Sequence, residues 1–353
     1  MTARAFLSIV AIAQGGLLAA LVFLVILNRW FRLRRSSRLR PRRETLDVAM
    51  RQWAAGSGTL AAVLTGLAGL PVTLAIDALV KWSARVPGER WRQIAEALRD
   101  HLWAKLVRAN SMSARWWKRL ECARFLSVAA LPEDAARLLR LINDPHPAVH
   151  IAAVACLERV ENAPLTLAAL DRLPHLAPTV QAYYAAMLLR SRPVVVEHLQ
   201  KRLKRIDDPA LPGLAEFAAR LGEPALRERL TALADHANPE VRVQSARALG
   251  GFPHRESVAA LKALIVDSSW AVRAQAARSL GMIADPSTLP LVKDALRDGV
   301  WWVRLRAALA LMRYSSGGRN ALLEAEVGAE PFARAMAKMV LGLPPQALAE
   351  FSA

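Results

Sequence analysis

His146 and His150 are four residues apart, a spacing that sets two imidazoles on one face of a helix, where they could hold a metal ion. Pro147 stands between them at a helix start, and neither a His-Glu pair nor a His-Glu-x-x-His run occurs in the chain, so the rest of a ligand set is lacking. Cys122 and Cys156 are the two cysteines, too few for a disulfide scaffold or a four-cysteine zinc site, and they read as small core residues. A glycine-rich phosphate loop and a nucleophile elbow are both missing. The residue types that do recur are arginine, aspartate and tryptophan. Arg242, Arg273 and Arg304 follow one another at intervals of 31, and Asp267 and Asp298 stand six residues ahead of the last two. The planar guanidiniums of such a row suit phosphates. Trp270, Trp301 and Trp302 precede two of these arginines. Tryptophan beside arginine is enriched at binding hot spots, and tryptophan also pads turns, so partner contact and packing are both open. No catalytic residue, cofactor or metal is assigned, and a non-enzyme is expected.

These residues sit in a repeat. VRVQSARALG at 241–250, VRAQAARSLG at 272–281 and VRLRAALALM at 303–312 superimpose, with Val241, Val272 and Val303 as index residues. VQAYYAAML from Val180 and VHIAAVACL from Val149 extend the series, with weaker matches from Leu211 and from Trp117. Each unit opens on a turn such as Asn143-Asp144-Pro145 or Asp267-Ser268-Ser269. Pro147, Pro178, Pro209 and Pro239 stand two before the index residue, where a missing N–H costs least. A first helix with inward alanines and a second helix follow, and neighbouring pairs must stack to bury their apolar faces. The composition agrees: 54% hydrophobic residues with only three tyrosines argue for helices over a sandwich or barrel.

The pattern Asn/Asp-Pro-x-Val-Arg-x-x-Ala-x-x-Ala-Leu-Gly resembles HEAT repeats, particularly the short HEAT-like class of phycobilin lyases and many bacterial scaffold proteins. It runs over about 111–315. The resemblance implies an all-α, alpha-alpha superhelix of armadillo-like kind, a ladder formed by Arg242, Asp267, Arg273, Asp298 and Arg304, and a protein partner. Deoxyhypusine hydroxylase, a HEAT-repeat enzyme, needs repeated His-Glu pairs for iron, and this chain has none.

Outside the repeat, residues 5–27 form an uncharged apolar run. At about 1.5 Å per residue it would span roughly 34 Å, enough for a hydrocarbon core of about 30 Å. Eight arginines follow between Arg29 and Arg43. This predicts one N-terminal transmembrane helix (1–28) and an Arg-rich segment (29–43) whose Arg29, Trp30, Arg32, Arg34 and Arg35 meet anionic lipid. A single-pass inner-membrane protein is expected, with its N-terminus outside and its repeats in the cytoplasm. Residues 44–110 then form a helical cap region, 111–315 the repeats, and 316–353 a C-terminal helical cap and tail. In the cap region, 59–76 reads as a helical hairpin broken at Gly69-Leu70-Pro71. The stretch 87–110 reads as one amphipathic helix with Trp91, Ile94, Ala95, Leu98, Leu102 and Leu106 on its apolar face. The layout resembles bacterial membrane-anchored HEAT-repeat proteins, some of which accompany envelope glycosyltransferase systems.

The expected function is therefore a membrane-tethered cytoplasmic scaffold for another protein, in an envelope or polysaccharide-related assembly. One alternative is a nucleic-acid-binding solenoid: the net charge is +18, and residues 111–315 carry 28 basic against 20 acidic side chains, though scattered and not in a stripe. The other is a tetrapyrrole-handling protein like the bilin lyases.

Overall fold

The computed structural model describes residues 22–23, 39–86, 88–344 and 346–347. The chain divides into two compact units, Met1–Val160 and Glu161–Ala353.

In the first unit α1 (39–54), α2 (Leu60–Ala68) and α3 (Val72–Ser83) enclose Leu46, Met50, Val63, Leu67, Ile76 and Leu79, all buried. Thr59 caps α2 by accepting the Ala62 amide, and Gly69-Leu70-Pro71 ends it. The apolar stretch 59–76 thus yields helices of nine and twelve residues, roughly 14 and 18 Å long. Among the described residues no helix is long and apolar enough to cross a membrane. The expected N-terminal transmembrane helix and the single-pass inner-membrane placement built on it therefore do not stand. The fold class is corrected to an all-α helical-repeat solenoid. The run 5–27, apart from Val22 and Phe23, and the interface residues Arg29, Trp30, Arg32, Arg34 and Arg35 lie outside the described residues.

The stretch 87–110 is two helices, α4 (Gly88–Ala97) and α5 (Leu102–Ala109), and not one. The break around Asp100 and His101 turns the apolar face. Trp91, Ile94, Ala95 and Leu98 are buried as expected, but Leu102 and Leu106 point outward, and Ala104, Val107 and Arg108 take the interior. Arg108 can lie there because it is paired. Its Nε donates to both Asp134 oxygens at 3.2 Å, its Nη1 to the Leu98 carbonyl, and its ring neighbour is Phe125. The unit closes with α6 (Trp116–Ala129), α7 (Ala135–Ile142) and α8 (Pro147–Val154).

The second unit begins with α9 (Ala163–Arg172) and alternates first and second helices: α10 (Pro178–Leu188), α11 (Arg192–Arg202), α12 (Leu211–Leu221), α13 (Arg227–Ala232), α14 (Pro239–Leu249), α15 (Arg255–Leu264), α16 (Trp270–Ile283), α17 (Leu289–Asp294) and α18 (Trp301–Leu311). Two further helices, α19 (Ser315–Val327) and α20 (Pro331–Leu341), follow. The index residues Leu211, Val241, Val272 and Val303 are buried, and prolines open α10 and α14 at the first helical position. First helices approach closely through glycine. A Cβ on Gly281 would lie 2.5 Å from Ala310 Cβ and 2.6 Å from its Cα, and one on Gly250 would lie 2.9 Å from Ser279 Cβ. These two positions end the recurring Ala-Leu-Gly and Ser-Leu-Gly.

Two registers differ from the sequence reading. In the first repeat, Arg119 makes the contacts that Arg242 makes in α14, so the index residue is Lys118 and not Trp117. With KRLECARFL aligned on VRVQSARAL, Trp116 falls at the first helical position. At the other end, α20 is built like a first helix. Pro331 opens it, Ala333 is buried at the index position, and Arg334 donates to the carbonyls of Gly328 and Ala329, as Arg242 does to those of His236 and Ala237.

Candidate functional site

The turn before each first helix positions the charged residues. Asp267 Oδ1 accepts the Ser269 amide at 2.8 Å, which closes the turn before α16 and fixes the carboxylate's direction. Its two oxygens then receive Arg242 Nε and Nη2, both at 2.8 Å, while Arg242 Nη1 reaches back to the His236 and Ala237 carbonyls. One unit on, Arg273 repeats this with Asp298 at 2.7 and 3.0 Å and with the carbonyls of Asp267 and Ser268. Each arginine thus ties the turn before its own helix to the turn of the following unit. Arg119 and Asp144 form the same rung in the first unit, at 2.6 and 3.0 Å.

The electrostatics follow from this geometry. The Arg242 hydrogen bond holds the Asp267 carboxyl below the usual carboxylate range against the opposing push of burial. Burial pushes Asp298 and Asp144 upward, but Arg273 and Arg119, with the Val300 and His146 amides, more than offset it and leave both lowered. Arg304 differs. Its Nη1 donates to the Asp298 carbonyl, but no carboxylate stands at the next rung, where Gly328 and Ala329 lie. The ring of Phe332 covers its guanidinium at 4.6 Å instead.

The tryptophans lie outside this ladder. Trp270, Trp301 and Trp302 open α16 and α18 and are 48%, 42% and 51% exposed. Trp301 and Trp302 meet edge to face with centroids 4.8 Å apart. No ring contact joins Trp270 to either among the described residues, so of the expected trio the structure pairs two. In the first unit Trp116 and Trp117 form a similar half-exposed pair that the Trp117 register concealed. His146 stacks on Trp116 at 4.0 Å, so the histidine of the supposed metal pair faces an indole, while His150 is buried in α8. Cys122 and Cys156 are buried, and burial pushes both thiols up to about 12. Thiols at that level are essentially unionised at neutral pH and poor nucleophiles.

Residues 226–312 match the HEAT repeats family. The matched stretch covers α13 to α18, with the Arg242–Asp267 and Arg273–Asp298 rungs. Among solved structures, human deoxyhypusine hydroxylase is similar at 20% identity over 67% of this chain and 95% of that one, with a TM-score of 0.29. The Escherichia coli protein YibA is similar at 12% identity over 72% and 96%, with a TM-score of 0.36. Kap121p is similar at 13% identity over 84% of this chain and 45% of its own, with a TM-score of 0.33. No curated protein is similar in sequence.

Proposed function

We propose that the chain is a non-catalytic scaffold that holds another protein, with Trp270, Trp301 and Trp302 as the contact residues. The observation that carries this reading is the exposure of three indoles at the starts of two neighbouring first helices, with Trp270 and Trp301 at the first helical position that proline holds in α10 and α14. A half-exposed indole leaves on the order of 100 Å² of apolar surface in water, worth roughly 2–3 kcal/mol when covered. Three such rings suffice to anchor a partner. Crosslinking the intact protein in cells and purifying it should recover a discrete protein with the wild type and lose it with the Trp270→Ala/Trp301→Ala/Trp302→Ala variant, whose melting temperature should move by less than about 2 °C. A thermal loss beyond about 5 °C would assign the rings to packing. Co-purification of nucleic acid in place of protein would favour the stacking of bases on these rings.

A further inference from the structure

At Arg304 the ladder of arginines and aspartates stops short. Arg119, Arg242 and Arg273 each place Nη1 on the carbonyl six residues back and close a fork on an aspartate, Asp144, Asp267 or Asp298. Arg304 starts in the same way, with Nη1 on the Asp298 carbonyl, but its Nε has no hydrogen-bond partner among the described residues. The residue is only 8% exposed, so this donor is withdrawn from water and unsatisfied, which costs free energy.

The place of the missing carboxylate follows from the register. Asp267 and Asp298 stand six residues before Arg273 and Arg304, and Gly328 stands six before Arg334. The backbone makes the same turn at each. The amides of Asp144, Asp267, Asp298 and Gly328 all donate to the carbonyl three residues back, and Gly328 has φ −68° and ψ 165° beside −58° and 142° at Asp298. Any residue adopts that φ, so the turn does not require glycine. A side chain at 328 would leave the backbone in the direction that the Asp298 side chain takes. Its Cβ would lie 3.3 Å from the Glu324 carbonyl oxygen and 3.4 Å from that of Ala325, which a shift of a few tenths of an ångström accommodates. The Glu330 amide stands two residues past Gly328, as the His146, Ser269 and Val300 amides stand two past the aspartates they bond. The Phe332 ring over the guanidinium is half-exposed, so it can turn outward and uncover Nε.

We infer that Arg304, with the Glu330 amide, is an open rung that takes one carboxylate from the partner protein, an Asp or Glu side chain entering where Gly328 supplies none. This rests on the scaffold reading: Trp301 stands one helical turn before Arg304 on α18, so one segment of the partner can reach both. The guanidinium fork matches a planar carboxylate, as the closed rungs show. Glu330, whose own carboxylate accepts the Phe332 and Ala333 amides in the same turn, disfavours a doubly charged phosphate.

Supplying the carboxylate from the chain itself tests the site. In the full chain, Gly328→Asp should slow hydrogen exchange of α20 amides at least tenfold relative to Gly328→Ala, which shares the loss of glycine flexibility but carries no charge. Sodium acetate at about 0.1 M, against sodium chloride at equal ionic strength, should slow the same amides at least twofold in the wild type and in Gly328→Ala, and not in Gly328→Asp. Equal exchange in the two variants, acetate protection that persists in Gly328→Asp, or stronger protection by inorganic phosphate than by acetate would each overturn the inference. In cells, the crosslinked partner should be lost from Gly328→Asp, whose own carboxylate fills the rung, and kept in Gly328→Ala. A partner that stays on Gly328→Asp but is lost from the tryptophan variant removes this inference and leaves the scaffold reading standing. Acetate protection with no protein captured at all would remove the scaffold reading, and the partner's carboxylate with it.

Discussion

At the residue scale the rungs are a recurring, largely buried polar feature of the repeats. Arg273 and Asp298 have side chains only 19% and 13% exposed and share two charge-assisted bonds, with two more to carbonyls. Arg273→Ala should cost about 2 kcal/mol, the range for hydrogen bonds to charged groups. Arg40→Ala should cost almost nothing, since Arg40 and Glu44 are 81% and 66% exposed. Denaturant melts of the two variants check the contrast. The carboxylates also set an acid limit. Asp267 and Asp298 have lowered pKa values, so their contribution is fully present above the unfolded value of about 3.9 and is lost as pH falls below that through the folded values. Melting temperature followed from pH 6 to pH 2.5 should fall less steeply in Asp267→Asn, which has already lost its rung. Identical slopes would remove the linkage. The rung partners were legible in the sequence where the index valine is plain, because they recur at fixed offsets. The Arg119–Asp144 rung was not, since Trp117 offered a bulkier apolar residue one position before Lys118, and hydrophobicity alone took the wrong one.

Element by element, the sequence pattern shows which faces turn inward and misses where a helix is interrupted. In 87–110 the apolar residues keep helical spacing straight through the break at Asp100 and His101, so periodicity gave no sign that Leu102 and Leu106 would leave the interior. The substitute, Arg108, is charged, and its burial depends on Asp134, twenty-six residues away. Glycine carries the opposite lesson. Within α16, Gly281 ought to weaken the helix by about 1 kcal/mol relative to alanine. Here a methyl would sit 2.6 Å from the backbone Cα of Ala310, which cannot give way as a flexible side chain could. Gly281→Ala should therefore destabilise by about 1–3 kcal/mol, reversing the propensity effect, while Gly299→Ala, with nothing within 4 Å of the new methyl, should stay within about 0.5 kcal/mol. Thermal melts that stabilise Gly281→Ala would show that α16 and α18 are not in close contact.

For the molecule as a whole, a repeat array adds up nearest-neighbour terms, so stability follows the distribution of joints. Within the second unit those joints are uneven. From α14 to α18 there are two arginine–aspartate rungs and two glycine contacts. From α10 to α12 the rung positions are held by Gln181 and Pro212 on the arginine side and by Ile206 and His236 on the carboxylate side, and none of these can form the pair. Arg202, bonded to Asp171 and Asp208, supplies one substitute, and Asp171 is half-exposed, which discounts its share. One fewer rung at about 2 kcal/mol corresponds to roughly thirtyfold more frequent local opening. Hydrogen exchange on the full chain should then show amides of α10 to α12 exchanging about one and a half decades faster than those of α14, α16 and α18. Arg242→Ala should raise exchange in α14 first, before α18 responds. Uniform protection across the unit, or a uniform loss in the variant, would mean that it opens as one block and that the rungs do not divide it. The uneven array suits the proposed role: the rungs and glycine contacts stiffen the helices that carry the tryptophans, so a partner meets a surface already in place and little of its binding free energy goes into ordering it.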